Sequence, residues 1–175
     1  MQKIIVAAKS DNQVIGKEND LVWHLPADLR FFKSTIDGAY LATGRKSFES
    51  AQGGDVFDAN REFVIITRNK NYRPTNGKIA HSLEAAIQVA ENDGAERLCI
   101  LGGATIYEAA MDLADIMILT EVHANFEGDT FFPVIDKTQW KELSRVWHPK
   151  DEETLLIILL WFMNGLSVTS RYWKI

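Results

Sequence analysis

The sequence predicts an α/β fold, with a predominantly parallel central sheet, helices on both faces and an antiparallel C-terminal edge. Short continuous apolar runs recur along the chain, which is typical of strands buried on both faces. Amphipathic segments lie between these runs, as expected for the helices that connect parallel strands. After Trp140 no helical pattern separates the apolar runs, so we expect the last strands to pair in antiparallel fashion.

The first half of the chain contains the first alternation of strand and helix. KIIVAA predicts a buried strand, and the long polar loop KSDNQVIGKEND follows it. Long loops in compact domains are often functional. Pro26 is expected to begin a helix that runs to about Ile36 and ends at Asp37-Gly38. AYLAT then predicts a short strand, and Gly44 turns the chain into a short helix, RKSFESA.

The second half repeats this alternation and then departs from it. EFVIIT, RLCIL and DIMILTEV predict three more buried strands. Ser82 is expected to cap the amphipathic helix SLEAAIQVAEN, which ends at Gly94, and ATIYEAAM predicts another helix. NKNYRPTNGK is interpreted as turn-rich and EGDTFFP as a loop. From Trp140 onward we expect strands, including LLIILLWFM, with a turn at Asn164-Gly165.

Composition and charge narrow the class of protein. The 175 residues are 46% hydrophobic and 25% charged, which suits one globular domain over 1–175. A net charge of −5 and the lack of a basic run argue against a nucleic-acid partner. The single cysteine, Cys99, lies in an apolar run, as expected for a buried thiol in a cytoplasmic protein. The four histidines are widely spaced, so no metal site is predicted.

The apolar runs are too short for a membrane span or a signal peptide. IIVAA near the start has five residues and LLIILLWFM near the end has nine, whereas a spanning helix needs about 20. We therefore expect a soluble, cytoplasmic monomer that does not bind membranes.

The stretch WHLPADLRFF places one carboxylate, Asp28, among aromatic and aliphatic residues. Pro26 suits the first position of a helix, so Asp28 falls in the first turn and faces the positive end of the helix dipole. One interpretation is an acid that stabilises the start of a helix. The other is a carboxylate held in an apolar pocket to bind or protonate a ligand. This stretch alone leaves both open.

Two strand–glycine–helix junctions indicate a ligand that carries phosphate. LATGRKS contains Gly44 before a basic pair, and CILGGATIY contains Gly102 and Gly103. A glycine at such a junction lets a phosphate approach backbone N–H groups, although glycines also make tight turns. Neither junction matches the G-x-G-x-x-G or P-loop pattern. Together they favour a dinucleotide with one end near Arg45.

Five motifs occur in an order and spacing that resemble the dihydrofolate reductase family. They are V-I-G, W-H-L-P-A-D-L-x-x-F-K, G-R-K-S-F-E-S, I-L-G-G-A-x-I-Y and E-G-D-T-F-F-P. The resemblance covers roughly the first 150 residues. It implies NADPH-dependent reduction of 7,8-dihydrofolate to 5,6,7,8-tetrahydrofolate, by hydride transfer with protonation of the pterin ring.

The resemblance implies the substrate site. Asp28 would hold the amidine edge of the pterin through paired hydrogen bonds and promote protonation of the ring nitrogen. Trp23 would help to hold an ordered water, and Thr120 would support the Asp28 carboxylate. Arg61 matches the arginine that binds the glutamate carboxylate of the substrate. The walls of the pterin pocket would be Val6, Ala8, Leu29, Phe32 and Leu101. Asp28 and Phe32 are four residues apart and so share one helix face.

The resemblance also implies that NADPH binds at the two glycine junctions. Arg45 would bind the 2′-phosphate, and Gly102-Gly103 matches a pair joined by a cis peptide. The loop 10–24 matches a mobile lid over the nicotinamide, which Asp129 would steady. The implied cofactor residues are Ala8, Ile15, Gly44, Arg45, Lys46, Ser47, Thr67, Arg68, Gly102, Gly103, Ala104, Thr105, Ile106 and Tyr107.

The chain departs from the family pattern at several positions. Val22 replaces a proline before the tryptophan, and Thr43 replaces a methionine before the first glycine. VFDAN replaces the usual Pro-Leu-Pro lead-in to Arg61. After Glu153 the tail is longer and more apolar than the usual closing strand pair, and we expect its apolar run to form a strand within the sheet.

Two other functions remain open. A reductase of the riboflavin pathway shares the fold and uses NADPH on a pyrimidine, but Asp28, Phe32 and Arg61 suit a pterin with a glutamate tail. The second alternative is a non-enzymatic protein that binds a dinucleotide or folate. It is kept open because Val22 and Thr43 depart from the pattern of the active family. Oxidation of NADPH in the presence of dihydrofolate discriminates among the three.

Overall fold

The computed structural model describes residues 1–50, 56–57 and 61–148, and the backbone of strand 157–164. The strands in this part of the chain are β1 Gln2–Ser10, β2 Val14–Gly16, β3 Tyr40–Gly44, β4 Phe63–Ile66, β5 Lys78–Ala80, β6 Arg97–Ile100, β7 Ile116–Val122, β8 Thr130–Phe131, β9 Trp140–His148 and β10 Ile157–Asn164. The helices described are α1 Pro26–Thr35, α2 Arg45–Phe48, α3 Leu83–Asn92 and α4 Ala104–Ala110.

Eight of the strands form one central sheet in the order β5-β4-β3-β6-β1-β7-β10-β9. The pairings from β5 through to β7 are all parallel. β10 pairs in antiparallel fashion with β7 on one side and β9 on the other. The predicted fold class is therefore confirmed, including the antiparallel edge and the tail strand within the sheet.

The two faces of the sheet carry separate apolar clusters, because successive side chains of a strand point to opposite faces. On one face Ile4 and Val6 of β1 pack with Phe31 and Phe32 of α1. On the other face Ile5 belongs to a larger cluster that includes buried residues of α3 and α4. The helices thus cover both faces, and we call these the α1 face and the α3 face.

The helix boundaries follow the local signals in the sequence. α1 begins at Pro26, as predicted. Ser82 caps α3, and its hydroxyl accepts a hydrogen bond from the Ala85 N–H at 3.1 Å. Gly94 follows α3 with a φ of +77°, a conformation that glycine adopts without steric cost.

The expected buried thiol is also present, since Cys99 is fully buried and burial raises its pKa to about 11.

Three short strands lie in or directly after segments that we expected to be loops or turns. β2 and β8 pair with each other in a separate two-stranded sheet, and β5 is an edge strand beside β4. Each has only two or three residues, so hydrophobic periodicity is too short to reveal it. Within the part of the chain described here, no helix is long and apolar enough to cross a membrane.

Candidate active site

Asp28 and Thr120 meet where α1 begins beside the sheet. The Thr120 hydroxyl donates a hydrogen bond to Asp28 Oδ1 at 2.6 Å. Thr120 lies near the carboxyl end of β7, directly across from Ala8 of β1 in the parallel register. Ligands of open α/β sheets bind beyond the carboxyl ends of the strands, and the contact between Asp28 and Thr120 lies near this edge.

The surroundings of Asp28 disfavour its charge. Burial raises the pKa of the Asp28 carboxyl above its ordinary value, and the hydrogen bond from Thr120 opposes part of that rise. A carboxylate in such a setting holds a proton more readily than one in water. Asp28 can therefore act both as a hydrogen-bond acceptor and as a group that favours proton transfer to a bound ligand.

Trp23 has a buried indole N–H. The side chain is only 8% exposed, and its ring meets the Phe126 ring edge-on, with 5.2 Å between centroids. Among the described residues the Trp23 Nε1 atom has no hydrogen-bond partner. Because buried donors in folded proteins are normally satisfied, this N–H suits an ordered water or a ligand atom.

The expected walls of the pterin pocket lie mostly on the α1 face. Val6, Phe32 and Leu101 belong to or pack against one apolar cluster there, and Ala8 packs against the cluster that contains Trp23. Leu29 is 38% exposed, so its side chain is available to a ligand. The structure thus brings strand and helix residues from distant parts of the sequence to the same face as Asp28.

The two glycine junctions contact each other. The Gly44 N–H donates to the Gly102 carbonyl at 2.6 Å. A Cβ atom at Gly44 would lie 3.2 Å from Ile106 Cγ1, and one at Gly103 would lie 3.3 Å from Ser47 Oγ. The two junctions are therefore tightly packed against each other, and Gly44 and Gly102 are both buried.

Gly102 occupies a backbone position that excludes other residues. Its peptide bond to Gly103 is cis, as the resemblance implied, and its φ is +92°. A Cβ atom there would lie 2.7 Å from the Tyr107 ring. Tyr107 is itself fixed, because its hydroxyl donates to the Val6 carbonyl at 2.9 Å. These contacts connect the second glycine junction to Val6 of β1, one of the expected walls of the pterin pocket.

The basic end of the site lies where β3 and β4 finish side by side, with Gly44 opposite Ile66. Arg45 and Lys46 follow β3, while Thr67 and Arg68 follow β4. Arg45 Nη1 donates to Glu49 Oε2 at 2.7 Å. Arg68 and Lys46 are exposed and Thr67 is buried, so the cationic groups face outward where an anion can reach them. Ala104 and Thr105 open α4 after the other junction.

The loop 10–24 is held by contacts that its middle residues make with other parts of the chain. The Asn19 side chain donates to the Lys46 carbonyl at 2.9 Å, which connects the loop to the first glycine junction. The Glu18 N–H donates to Asp129 Oδ2 at 2.9 Å. Ile15 lies in β2, packs against the apolar cluster of the α3 face, and is held through the pairing of β2 with β8. The contact between the loop and Asp129 is thus present.

Arg61 lies at the far end of α1. It follows β3 and precedes β4, beside a cleft of about 620 Å³ whose lining also includes Asp37 and Arg97. The Arg97 guanidinium donates to the Asp37 carbonyl at 2.6 Å, just beyond the end of α1. Since α1 has ten residues, it spans about 15 Å. Arg61 and Asp28 therefore lie towards opposite ends of this helix.

Two residues near Arg45 were missing from the candidate site that the sequence suggested. Glu49 lies four residues after Arg45, a spacing that predicts a contact on a helix. Tyr72 lies under the Arg45 guanidinium, with 5.9 Å from Arg45 Cζ to the ring centre. It comes from the turn-rich segment after β4, and no periodic pattern links it to Arg45.

Comparisons with known proteins indicate the family of this chain. A family model described as dihydrofolate reductase matches residues 3–160. A dihydrofolate reductase of Staphylococcus haemolyticus is 39% identical over 149 residues, covering 85% of this chain and 87% of that protein. One of Neisseria meningitidis serogroup A is 41% identical over 141 residues, covering 81% of this chain and 85% of the other.

A solved structure is also similar. It is a dihydrofolate reductase from Enterococcus faecalis complexed with NADP(H) and RAB-propyl, with a TM-score of 0.82 and 32% identity, and the match covers 94% of this chain and 96% of that one. The sequence motifs suggested a resemblance over about the first 150 residues. The matched region extends further, to residue 160 within β10.

Proposed function

The chain belongs to the dihydrofolate reductase family, and from this premise we propose how its residues carry out the family's reaction. The protein is an NADP-dependent oxidoreductase that reduces 7,8-dihydrofolate to 5,6,7,8-tetrahydrofolate with NADPH. The observation that best supports the proposed site is the hydrogen bond between Thr120 and the half-buried Asp28, because it places an acid at the carboxyl edge of the sheet.

Asp28 and Trp23 are the proposed catalytic residues. The Asp28 carboxylate accepts paired hydrogen bonds from the amidine edge of the pterin, and Thr120 holds the carboxylate in place. The raised pKa of Asp28 supports a role in protonation of the pterin ring nitrogen. The unpartnered Trp23 N–H supports a position for the water that delivers the proton. Hydride and proton together complete the two-electron reduction of the ring.

The remainder of the substrate lies along α1 in this proposal. The walls of the pterin pocket are Val6, Ala8, Leu29, Phe32 and Leu101. Arg61 then binds the glutamate carboxylate of the substrate. The distance along α1 supports this role, because an extended tail that starts at Asp28 runs towards the end of the helix where Arg61 lies.

NADPH, which supplies the hydride when it is bound, occupies the surface formed by the two glycine junctions. The exposed cations near Arg45 support binding of its 2′-phosphate there, with Thr67 and Arg68 at the same end. Ala8 and Ile15 lie towards the opposite end, where the loop 10–24 excludes water from the nicotinamide. The remaining proposed contacts are Gly44, Lys46, Ser47, Gly102, Gly103, Ala104, Thr105, Ile106 and Tyr107.

We further propose that residues 1–175 act as one domain and as a cytoplasmic monomer with no nucleic-acid partner. The net charge of −5 supports the last point. The outer strand β9 carries exposed charged side chains, including Lys141, Glu142 and Arg145. Charges on an edge strand disfavour pairing with another chain, which supports a monomer.

Oxidation of NADPH by dihydrofolate, followed at the nicotinamide absorbance, tests the reaction. We expect turnover that needs both compounds and yields tetrahydrofolate. A pyrimidine substrate of the riboflavin pathway, offered in place of dihydrofolate, should give no oxidation. Tight binding of NADPH without turnover of dihydrofolate would instead support a binding protein that has lost activity. The named relatives are all dihydrofolate reductases, which favours the first outcome.

A further inference from the structure

Two side chains outside the proposed cofactor contacts hold the guanidinium of Arg45. Glu49 Oε2 accepts from Arg45 Nη1 at 2.7 Å, and the Tyr72 ring lies beneath the guanidinium at 5.9 Å. Burial raises the pKa of Tyr72, and the nearby Glu49 carboxylate raises it further. Arg45 therefore contacts both Glu49 and Tyr72, and we call these three residues the Arg45 cluster.

The turn that carries Tyr72 is ordered by its own hydrogen bonds. The Asn69 N–H donates to Thr67 Oγ1 at 3.2 Å, and the Asn71 N–H donates to Asn69 Oδ1 at 2.9 Å. The Tyr72 N–H then donates to the Asn69 carbonyl at 3.2 Å. The ring packs against the apolar cluster of the α1 face. These contacts hold the Tyr72 ring in place in the turn that follows β4.

Arg45 retains N–H donors for a ligand while Glu49 and Tyr72 hold its guanidinium in place. A guanidinium has five N–H groups in a planar fork, and the Arg45 side chain is 38% exposed. A free arginine loses rotamer freedom when it binds an anion, and a side chain already held in place loses less. The ring of Tyr72 fixes the plane of the guanidinium, and Glu49 holds one edge of it.

We propose that Tyr72 is a positioning residue that sets the preference of this enzyme for NADPH over NADH. It acts through Arg45, whose guanidinium it holds ready for the 2′-phosphate, and the inference rests on that proposed role of Arg45. NADH lacks the 2′-phosphate, so its affinity gains nothing from the Arg45 cluster. The contribution of Tyr72 should therefore be confined to NADPH.

Dissociation constants for NADPH and NADH, measured by fluorescence titration of the full chain, test this inference. Tyr72→Leu removes the ring, and we expect the preference for NADPH to fall about two- to fivefold, the scale of an exposed cation–π contact. Tyr72→Phe keeps the aromatic ring and should therefore retain most of the preference for NADPH. In an Arg45→Ala background, Tyr72→Leu should cause no further change.

The chain offers a matched control on β9. Arg145 lies over the Trp147 ring, also at 5.9 Å, and it donates to Glu142 at 2.9 Å. Trp147→Leu removes an aromatic ring from this similar arrangement, so it should leave the preference for NADPH unchanged. If Tyr72→Leu loses NADH binding because it misfolds, Tyr72→Met, which retains a long apolar side chain, takes its place.

The outcomes separate this inference from the proposed role of Arg45. Equal loss of NADPH and NADH affinity in a folded Tyr72→Leu, or a loss in Tyr72→Phe as large as in Tyr72→Leu, would overturn the role of Tyr72. If Arg45→Ala weakens both cofactors equally, Arg45 itself does not bind the 2′-phosphate. If Arg45→Ala selectively weakens NADPH binding and Tyr72→Leu does not, only the role of Tyr72 is overturned.

Discussion

The ionised carboxylate of Asp28 lowers the stability of the fold. Burial raises the pKa of Asp28 above its ordinary value of 3.8, so the folded chain holds this proton more tightly than the unfolded chain does. The free energy of unfolding therefore falls as the pH rises from the ordinary pKa through the raised one. Above the raised pKa the fold bears the whole cost of this charge.

Asp28→Asn should keep the fold and NADPH binding but slow hydride transfer by ~10²–10⁴-fold, the usual contribution of acid–base catalysis. The loss should shrink at low pH, where the substrate arrives already protonated. Because asparagine carries no charge, the variant should melt no lower than the wild type at neutral pH. Single-turnover rates from acid to neutral pH, together with melting curves, measure both effects.

The other interpretation of Asp28 makes the opposite prediction. If this acid only stabilises the start of α1, Asp28→Asn should lower stability by about 0.3–1 kcal/mol through the lost dipole interaction. Turnover would then remain close to that of the wild type. Such a result would mean that Asp28 is structural and that the proposed site is wrong.

Arg45→Ala should weaken NADPH binding much more than NADH binding, since charge-assisted hydrogen bonds contribute about 1.5–3 kcal/mol each. Titration with both cofactors measures the difference. Arg145→Ala is the matched control, because Arg145 pairs with Glu142 at a similar exposure on β9. It should change neither affinity, and a similar loss in both variants would point to a general effect of charge.

Single residues of the site differed in how far the sequence could reveal them. Asp28 and Thr120 were both assigned through the family resemblance, and their hydrogen bond is present in the structure. The contact between Glu49 and Arg45 could have been predicted, because the two residues are four apart on a helix. The contact between Tyr72 and Arg45 could not, because it arises only when the turn after β4 folds back over α2.

At the scale of elements, the loop 10–24 is held by contacts with two other parts of the chain. Asp129 accepts the Glu18 N–H, and this bond is the main reason that the pKa of the Asp129 carboxyl lies below its ordinary value. The contribution of the carboxylate is therefore lost only as the pH falls through that lowered pKa. The tie should stay intact at neutral and mildly acidic pH.

Asp129→Ala removes this tie and should slow hydride transfer several-fold at saturating NADPH, because a looser loop excludes less water from the nicotinamide. Asp129→Asn retains a carbonyl oxygen that can accept from Glu18, so its effect should be smaller. Stopped-flow measurement of hydride transfer compares the two. Unchanged rates in Asp129→Ala would show that the loop does not depend on this contact.

Elements with a long periodic pattern were predictable, and elements defined by their partners were not. β1, α1 and α3 show clear apolar patterns and begin within a few residues of their expected positions. β2 and β8 exist because they pair with each other across the loop. A strand of two or three residues has too few side chains to show a period, so only the folded chain reveals it.

At the scale of the whole molecule, the protein should remain a monomer over a wide range of concentration. The apolar tail strand β10 lies between β7 and β9, so its backbone is not at an edge of the sheet. Light scattering at increasing protein concentration checks the mass. A dimer that Leu159→Lys abolishes while the fold stays intact would favour an interface at this strand instead.

The order of the strands also governs how the chain must assemble as it is synthesised. β1 is the first strand to be synthesised, yet it pairs with β6 and β7. Gln2 pairs with Arg97, which is synthesised roughly 95 residues later. At typical rates of protein synthesis that interval is roughly 5–20 s. During it, the strand that carries Ala8 has no partner, and Thr120 does not yet exist. A nascent chain therefore passes most of its synthesis before the hydrogen bond between Thr120 and Asp28 can form, because that bond needs β7 to emerge.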